Sequence, residues 1–168
     1  MVEEPERCRR LLEEVTAIYG WIEARIRQHH GRAGGCKMCG ACCDFPAYDH
    51  RLFVTPPELM YLAARLGTSR LKAMTSGSCP YQQGPVCTIH EHRFAGCRIF
   101  CCTGDPDFQS ELSEEVLRRL KTLCEESEIP YCYQDLPTAL GAFTSDTCRS
   151  AWAPRPAERG DRCTSPPR

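Results

Sequence analysis

Four cysteines fall within eight residues of this chain, at Cys36, Cys39, Cys42 and Cys43, in the stretch GCKMCGACCD from Gly35 to Asp44. Two thiols three positions apart can fold back as a tight knuckle and present both sulfurs to one metal ion. Gly40, directly after the second cysteine, can take the positive φ that such a turn needs at no steric cost. A third cysteine three residues on gives a run that can reach successive irons of a 4Fe–4S cubane. A second block adds Cys79, Cys87, Cys97, Cys101 and Cys102. The chemistry these residues suit is metal–thiolate ligation. Thiolates accept zinc and iron–sulfur alike, so the spacing leaves the metal open.

The spacing restricts how the thiols can be shared. Neighbouring side chains in an extended segment point to opposite sides, so Cys42 and Cys43 are not expected to face one ion, nor are Cys101 and Cys102. Three arrangements fit. Cys36, Cys39 and Cys42 could hold three corners of a 4Fe–4S cluster, with Cys79, followed by Pro80, at the fourth. Two tetrahedral zinc sites could each draw on both blocks. One site of each kind would also satisfy the count. His90 and His92, between Cys87 and Cys97, could replace a thiolate in a zinc site, although a loop histidine is more often a surface hydrogen-bonding group.

The chain has 168 residues, enough for one domain with a modest core. Its 21 Lys and Arg against 22 Asp and Glu leave no general attraction to nucleic acid or to an acidic membrane. Fourteen cysteines suggest either a disulfide or a metal scaffold. The N-terminal residues MVEEPERCRRLLEEV lack the apolar stretch of a secretory signal, and no window reaches the length of a membrane span. We therefore expect a cytoplasmic protein with reduced thiols, in which knuckle spacing means metal.

Several elements must position those thiols. Leu11, Val15, Ile18, Ile22 and Ile26 predict an amphipathic helix over residues 6–29, with Cys8 on its apolar stripe. Arg51 to Thr55 reads as a short strand or extended arm. Thr55-Pro56-Pro57-Glu58 is a capping-box start for a helix to Leu66, with Gly67 as its stop. Residues 68–74 could add a turn. Proline and glycine between Cys79 and Cys102 predict loops. A helix is expected over Ser110 to Glu126, with Cys124 packed beside its apolar face, and a short one over residues 137–143. The Pro/Arg-rich tail 153–168 has almost nothing to bury and is expected to be disordered. The fold class expected is mainly α: a single small, irregular, metal-stabilised domain over residues 1–152, with about three main helices packed around the cysteine cluster.

Together the two blocks resemble the YkgJ-like cysteine-cluster family, described as zinc- or iron-chelating domains. Cys36-x-x-Cys39-Gly40-x-Cys42-Cys43 looks like its signature. Val54-Thr55 to Glu58, Cys79, Cys87-Thr88-Ile89-His90 and Arg93 to Phe100 follow in the family's order. The resemblance covers about residues 33–103. It departs at Phe94, where the family has proline, and at Cys101 and Cys102, which its pattern does not assign. By position it implies metal ligands at Cys36, Cys39, Cys42, Cys43, Cys79, Cys87 and Cys97, with Cys101 as an eighth. Arg93 and Arg98 would then sit beside a negatively charged centre, as charge compensation or as a contact to an anionic substrate.

Such clusters also occur in the larger flagellin lysine methylases, but no glycine-rich SAM-binding strand–loop–helix is present here. Nor is there a hydrolytic metal motif. The function expected is a metal-cluster protein, iron–sulfur or zinc, working in electron transfer or as an accessory to an enzyme through a protein partner. A zinc-stabilised interaction module and a small cluster-dependent enzyme are the alternatives.

Overall fold

A computed structural model describes residues 4–67 and 70–143. The expected tail at 153–168 lies outside the described residues, as do Cys148, Cys163 and part of the expected turn at 68–74. The described chain is mainly helical, with a few short strands. Six α-helices are present among the described residues: α1 (Glu4–Gln28), α2 (His30–Ala33), α3 (Pro56–Leu66), α4 (Ala95–Ile99), α5 (Pro106–Glu126) and α6 (Leu136–Ala142). The strands are β1 (Phe53–Val54), β2 (Gln82–Gln83), β3 (Val86–Cys87) and β4 (Gln134–Asp135). They form two antiparallel pairs, β1 with β4 and β2 with β3.

The three long helices are those expected. The apolar stripe of α1 buries Leu11, Val15, Ile18, Tyr19 and Ile22 against Val116, Leu120, Leu123 and Cys124 of α5 and against Met60 and Tyr61 of α3. Cys8 packs on this core and Cys124 is fully buried in it, as small apolar residues. α5 begins four residues earlier than expected. Asp105 caps it, its carboxylate accepting from the amides of Asp107 and Phe108, and Pro106 takes the first helical position. α6 is capped in the same way by Asp135, which accepts from the Thr138 amide at 3.1 Å.

The long helices meet in one apolar core, to which α3 contributes Met60 and Tyr61. Cys79, Cys87 and Cys97 lie against a second cluster, in which Leu59 and Leu62 of the same helix pack with Leu52, Val54, Tyr81, Phe94 and Leu136. α3 thus carries apolar residues to both clusters, and the cysteines flank the three-helix core instead of lying at its centre as expected.

The region between Cys79 and Cys102 is not all loop. It contains the β2–β3 hairpin, a 3-10 turn at His90–His92 and helix α4. Glu58 explains α4. One oxygen of its carboxylate accepts from the Thr55 amide and hydroxyl, both at 2.8 Å, which completes the expected capping box. The other oxygen accepts from the Ala95 amide at 2.8 Å, at the first turn of α4. Glu58 is only 2% exposed. Burial raises its pKa above 4.5, opposed by the hydrogen bonds from Ala95 and Thr55.

Glu58→Ala strands three buried donors, and we expect it to lower stability by about 3 kcal/mol in urea denaturation. Glu58→Gln should recover part of the loss. Because the folded-state pKa is raised, Glu58's contribution is full below 4.5 and declines as pH rises through the folded value. The stability difference between wild type and Glu58→Gln should therefore shift in favour of wild type on acidification from neutral pH. An unchanged midpoint for Glu58→Ala would contradict this role.

Candidate metal centre

Backbone contacts bring the two cysteine blocks together on both sides of the first block. On the upstream side, the Asp105 amide donates to Arg32 O at 2.7 Å, and the Gly35 amide donates to the Thr103 hydroxyl at 3.3 Å. The Arg32 guanidinium pairs with Asp105 at 2.9 Å. Gly34 sits at φ 76°, where a Cβ would lie 2.7 Å from the Gly104 nitrogen. No other residue can follow this path. On the downstream side, the Cys79 amide donates to Cys43 O at 2.9 Å. Asp44 and Ser78 form an antiparallel bridge. The Gln82 side chain donates to Gly40 O at 2.9 Å.

Within the first block the chain turns at Met38. The Met38 amide approaches the Cys36 sulfur at 3.4 Å, and Met38 itself has a positive φ of 49°. Gly40 takes φ 72°, as its place after the second cysteine predicts, and starts a 3-10 turn over Ala41–Cys43. This turn corrects one expectation. Cys42 and Cys43 lie in this turn and not in an extended segment, and each thiol perturbs the other. Cys101 and Cys102 do diverge. Cys101 is buried with its sulfur 3.3 Å from the Thr103 hydroxyl, and Cys102 is exposed.

The thiols form an electrostatic group drawn from both blocks. Cys42 is raised well above the usual thiol range by its hydrogen bond to Cys43 and then by burial. Cys42 lowers Cys43, but donation to Cys79, burial and the charges of Cys79 and Cys87 outweigh this and bring Cys43 up to about 11. Cys79 is lowered, because the Cys43 thiol donates to it. Burial, followed by Cys43, Cys87 and Cys42, pushes Cys97 strongly upward. Cys42, Cys43, Cys79, Cys87 and Cys97 therefore act on one another across the two blocks. Cys36 and Cys39 are exposed at the edge of the block. As the side chains stand, no group of three or more Cys, His, Asp or Glu among the described residues is arranged to hold a metal ion. All nine block cysteines carry free thiols, whereas Cys132 is disulfide-bonded.

A cavity of about 250 Å³ adjoins the group. Cys36, Cys97 and Cys101 line it together with Arg27, Arg93 and Arg98. The two arginines expected beside the centre have different roles. Arg98 is 8% exposed and fully engaged. Its Nε donates to Arg93 O at 2.9 Å, Nη2 donates to Glu91 O at 2.7 Å, and Nη1 pairs with Glu23. Its guanidinium also lies 4.2 Å from the centre of the Tyr19 ring. Arg98 is thus a strut joining α4 to α1. Arg93 donates Nη1 to His90, while its buried Nε has no acceptor. Its charge lowers the Cys42 thiol. A buried guanidinium N–H beside thiols suits an anionic metal–thiolate group, which would supply the missing acceptor.

The histidines are placed away from ligation. His90 pairs with Arg93, and His92 packs edge-on to Tyr61. His50, by contrast, lies against the cysteine block. Its Nε2 is 2.8 Å from Cys42 O and its ring stacks on Phe100. Gln109 likewise escaped the spacing argument. It clamps Cys101 with two bonds, donating to its carbonyl at 2.9 Å and accepting from its amide at 3.3 Å. Nothing local in the sequence marks either contact.

Comparison with known proteins gives no match to a family model, a curated protein or a solved structure.

Gly34→Ala should separate the two blocks. We expect a loss of more than about 1 kcal/mol in denaturant stability and faster alkylation of Cys101, read by mass spectrometry. Gly31→Ala, where a Cβ meets nothing within 4 Å, is the matched control. Equal behaviour of the two variants would show that the Gly34 contact does not hold the blocks.

Proposed function

We propose that this chain is a metal–thiolate protein of the YkgJ-like kind, working in the cytoplasm in electron transfer or as an accessory to an enzyme. The observation that supports it is the hydrogen bond from the Cys79 amide to Cys43 O at 2.9 Å, which joins the two cysteine blocks. In this reading Cys43, Cys79, Cys87 and Cys97 hold the centre, with Cys42 beside it and Cys36 and Cys39 at its solvent edge. Cys101 faces the adjoining cavity. The group held would supply a one-electron couple if iron–sulfur, or a fixed charge and a structural clamp if zinc.

The chain's own residues do the rest. The amide of Cys79 fixes the two blocks to each other, and the buried end of Arg93 offsets negative charge. Exposed Met38, 66% accessible, and Phe100, 41% accessible, border this edge, where a protein partner could approach. No described helix is long and apolar enough to cross a membrane. A small cluster-dependent enzyme is the second reading, and the cavity beside the thiols favours it.

Purification without oxygen, with metal and sulfide analysis, is the test. We expect bound iron with sulfide and a visible absorption bleached by dithionite, or stoichiometric zinc in a colourless protein. Cys97→Ser should lose most of the metal, whereas Cys124→Ser, in the helical core, should keep it. Wild-type protein without bound metal would refute the proposal.

A further inference from the structure

We propose that Cys36 and Cys101 form a reversible disulfide across the cavity beside the candidate centre, a thiol switch that joins the two cysteine blocks covalently. Neither residue is one of the four read as holding the centre. The inference therefore goes beyond the metal reading and does not depend on it.

The backbone brings the two residues to one place. The segment leading to Cys36 and the segment leaving Cys101 pass each other in opposite directions. The Asp105 amide donates to Arg32 O at 2.7 Å. Gly104 packs so closely that a Cβ there would lie 2.6 Å from the Ala33 carbonyl oxygen. The Gly35 amide donates to the Thr103 hydroxyl at 3.3 Å. One step further along both segments brings Cys36 opposite Cys101 and Cys102. The cavity distinguishes these two, because Cys36 and Cys101 line it and Cys102 does not. The Thr103 hydroxyl that takes the Gly35 amide is also 3.3 Å from the Cys101 sulfur. That sulfur is thus no more than two hydrogen-bond lengths from the Gly35 amide, one residue before Cys36.

Exposure divides the chemistry between them. Cys36 is exposed and Cys101 is buried. A thiol in solvent with a sheltered thiol beside it is the arrangement of a redox-sensing pair. The oxidant is a small disulfide such as oxidised glutathione. The Cys36 thiolate attacks one of its sulfurs, and the other leaves and takes up a proton. The Cys101 thiolate then attacks the Cys36 sulfur and releases the second glutathione as a thiol. Two protein thiols become one disulfide, one small disulfide becomes two thiols, and two protons pass from the protein to those products. Gln109 holds Cys101 in place for the second step, bonding both its carbonyl and its amide.

The test incubates the full chain, as purified, in mixtures of reduced and oxidised glutathione. Free thiols are then blocked with N-ethylmaleimide and disulfides mapped by mass spectrometry. We expect one new bond, Cys36–Cys101, that reduced glutathione reverses. Cys36→Ser should form no new protein disulfide. Cys101→Ser should trap Cys36 as a mixed disulfide with glutathione that persists at least about tenfold longer than in wild type. A bond from Cys36 to Cys39, Cys97 or Cys102 in place of Cys101 overturns the proposal. So does wild type in which Cys36 stays a mixed disulfide, or in which both thiols stay free. If Cys101→Ser fails to fold, the map of wild type still decides.

Metal analysis of the same samples separates the two readings. The bond formed in wild type that is purified without metal sinks the metal proposal alone. Metal-loaded wild type whose Cys36 resists both glutathione and N-ethylmaleimide sinks this one alone, because Cys36 would then be a ligand.

Discussion

The arrangement depends on one buried carboxylate that serves two helix starts. Glu58 caps α3 through one oxygen and the first turn of α4 through the other. α4 has only five residues and could not form from its own propensity, because a helix this short does not recover the cost of its nucleus. Its first amide is satisfied by a side chain 37 positions away, so α3 determines where α4 begins. α4 carries Cys97 and Arg98 and follows directly on Arg93. The same carboxylate therefore sets where the second cysteine block meets the first. Burying a charge is expensive, and the three donors within hydrogen-bond reach make it tolerable.

This division also separates what could be read along the chain from what could not. The stripe Leu11, Val15, Ile18, Ile22 predicts α1, and Thr55 with Glu58 predicts the start of α3, because both signals are local and periodic. Gly40 after Cys39 predicts a positive φ for the same reason. The second role of Glu58, toward Ala95, is a tertiary contact with no spacing signature. The same holds for Gly34 against Gly104, and for Gln109 on Cys101. The divergence expected of Cys42 and Cys43 assumed an extended backbone, and the 3-10 turn begun by Gly40 removed that assumption. The cysteines of the candidate centre were visible as a set, but their grouping depends on contacts across 36 or more positions, as between Cys43 and Cys79.

Arg93 and Arg98 show why residue type alone does not assign a role. They are five positions apart, and one flanks α4 while the other lies within it. Arg98 spends its donors on two carbonyls and Glu23, and its flat face covers Tyr19. Nothing is left to offer a ligand. Among the described residues the Arg93 guanidinium bonds to His90 alone, and its Nε is buried without an acceptor. A planar cation bonded on all sides, as Arg98 is, is suited to holding two helices together.

The thiols have a matching asymmetry. Cys42, Cys43 and Cys97 all hold their protons more tightly than an ordinary cysteine, while Cys79 gives its proton up more readily. Binding a metal requires thiolates, so any cation entering the group must displace protons from the raised members. Cys79 offers the first sulfur at least cost, and its amide already bonds to the Cys43 carbonyl. Each later ligand becomes easier once positive charge is present, because the neighbouring thiolates that opposed ionisation are then shared with the metal.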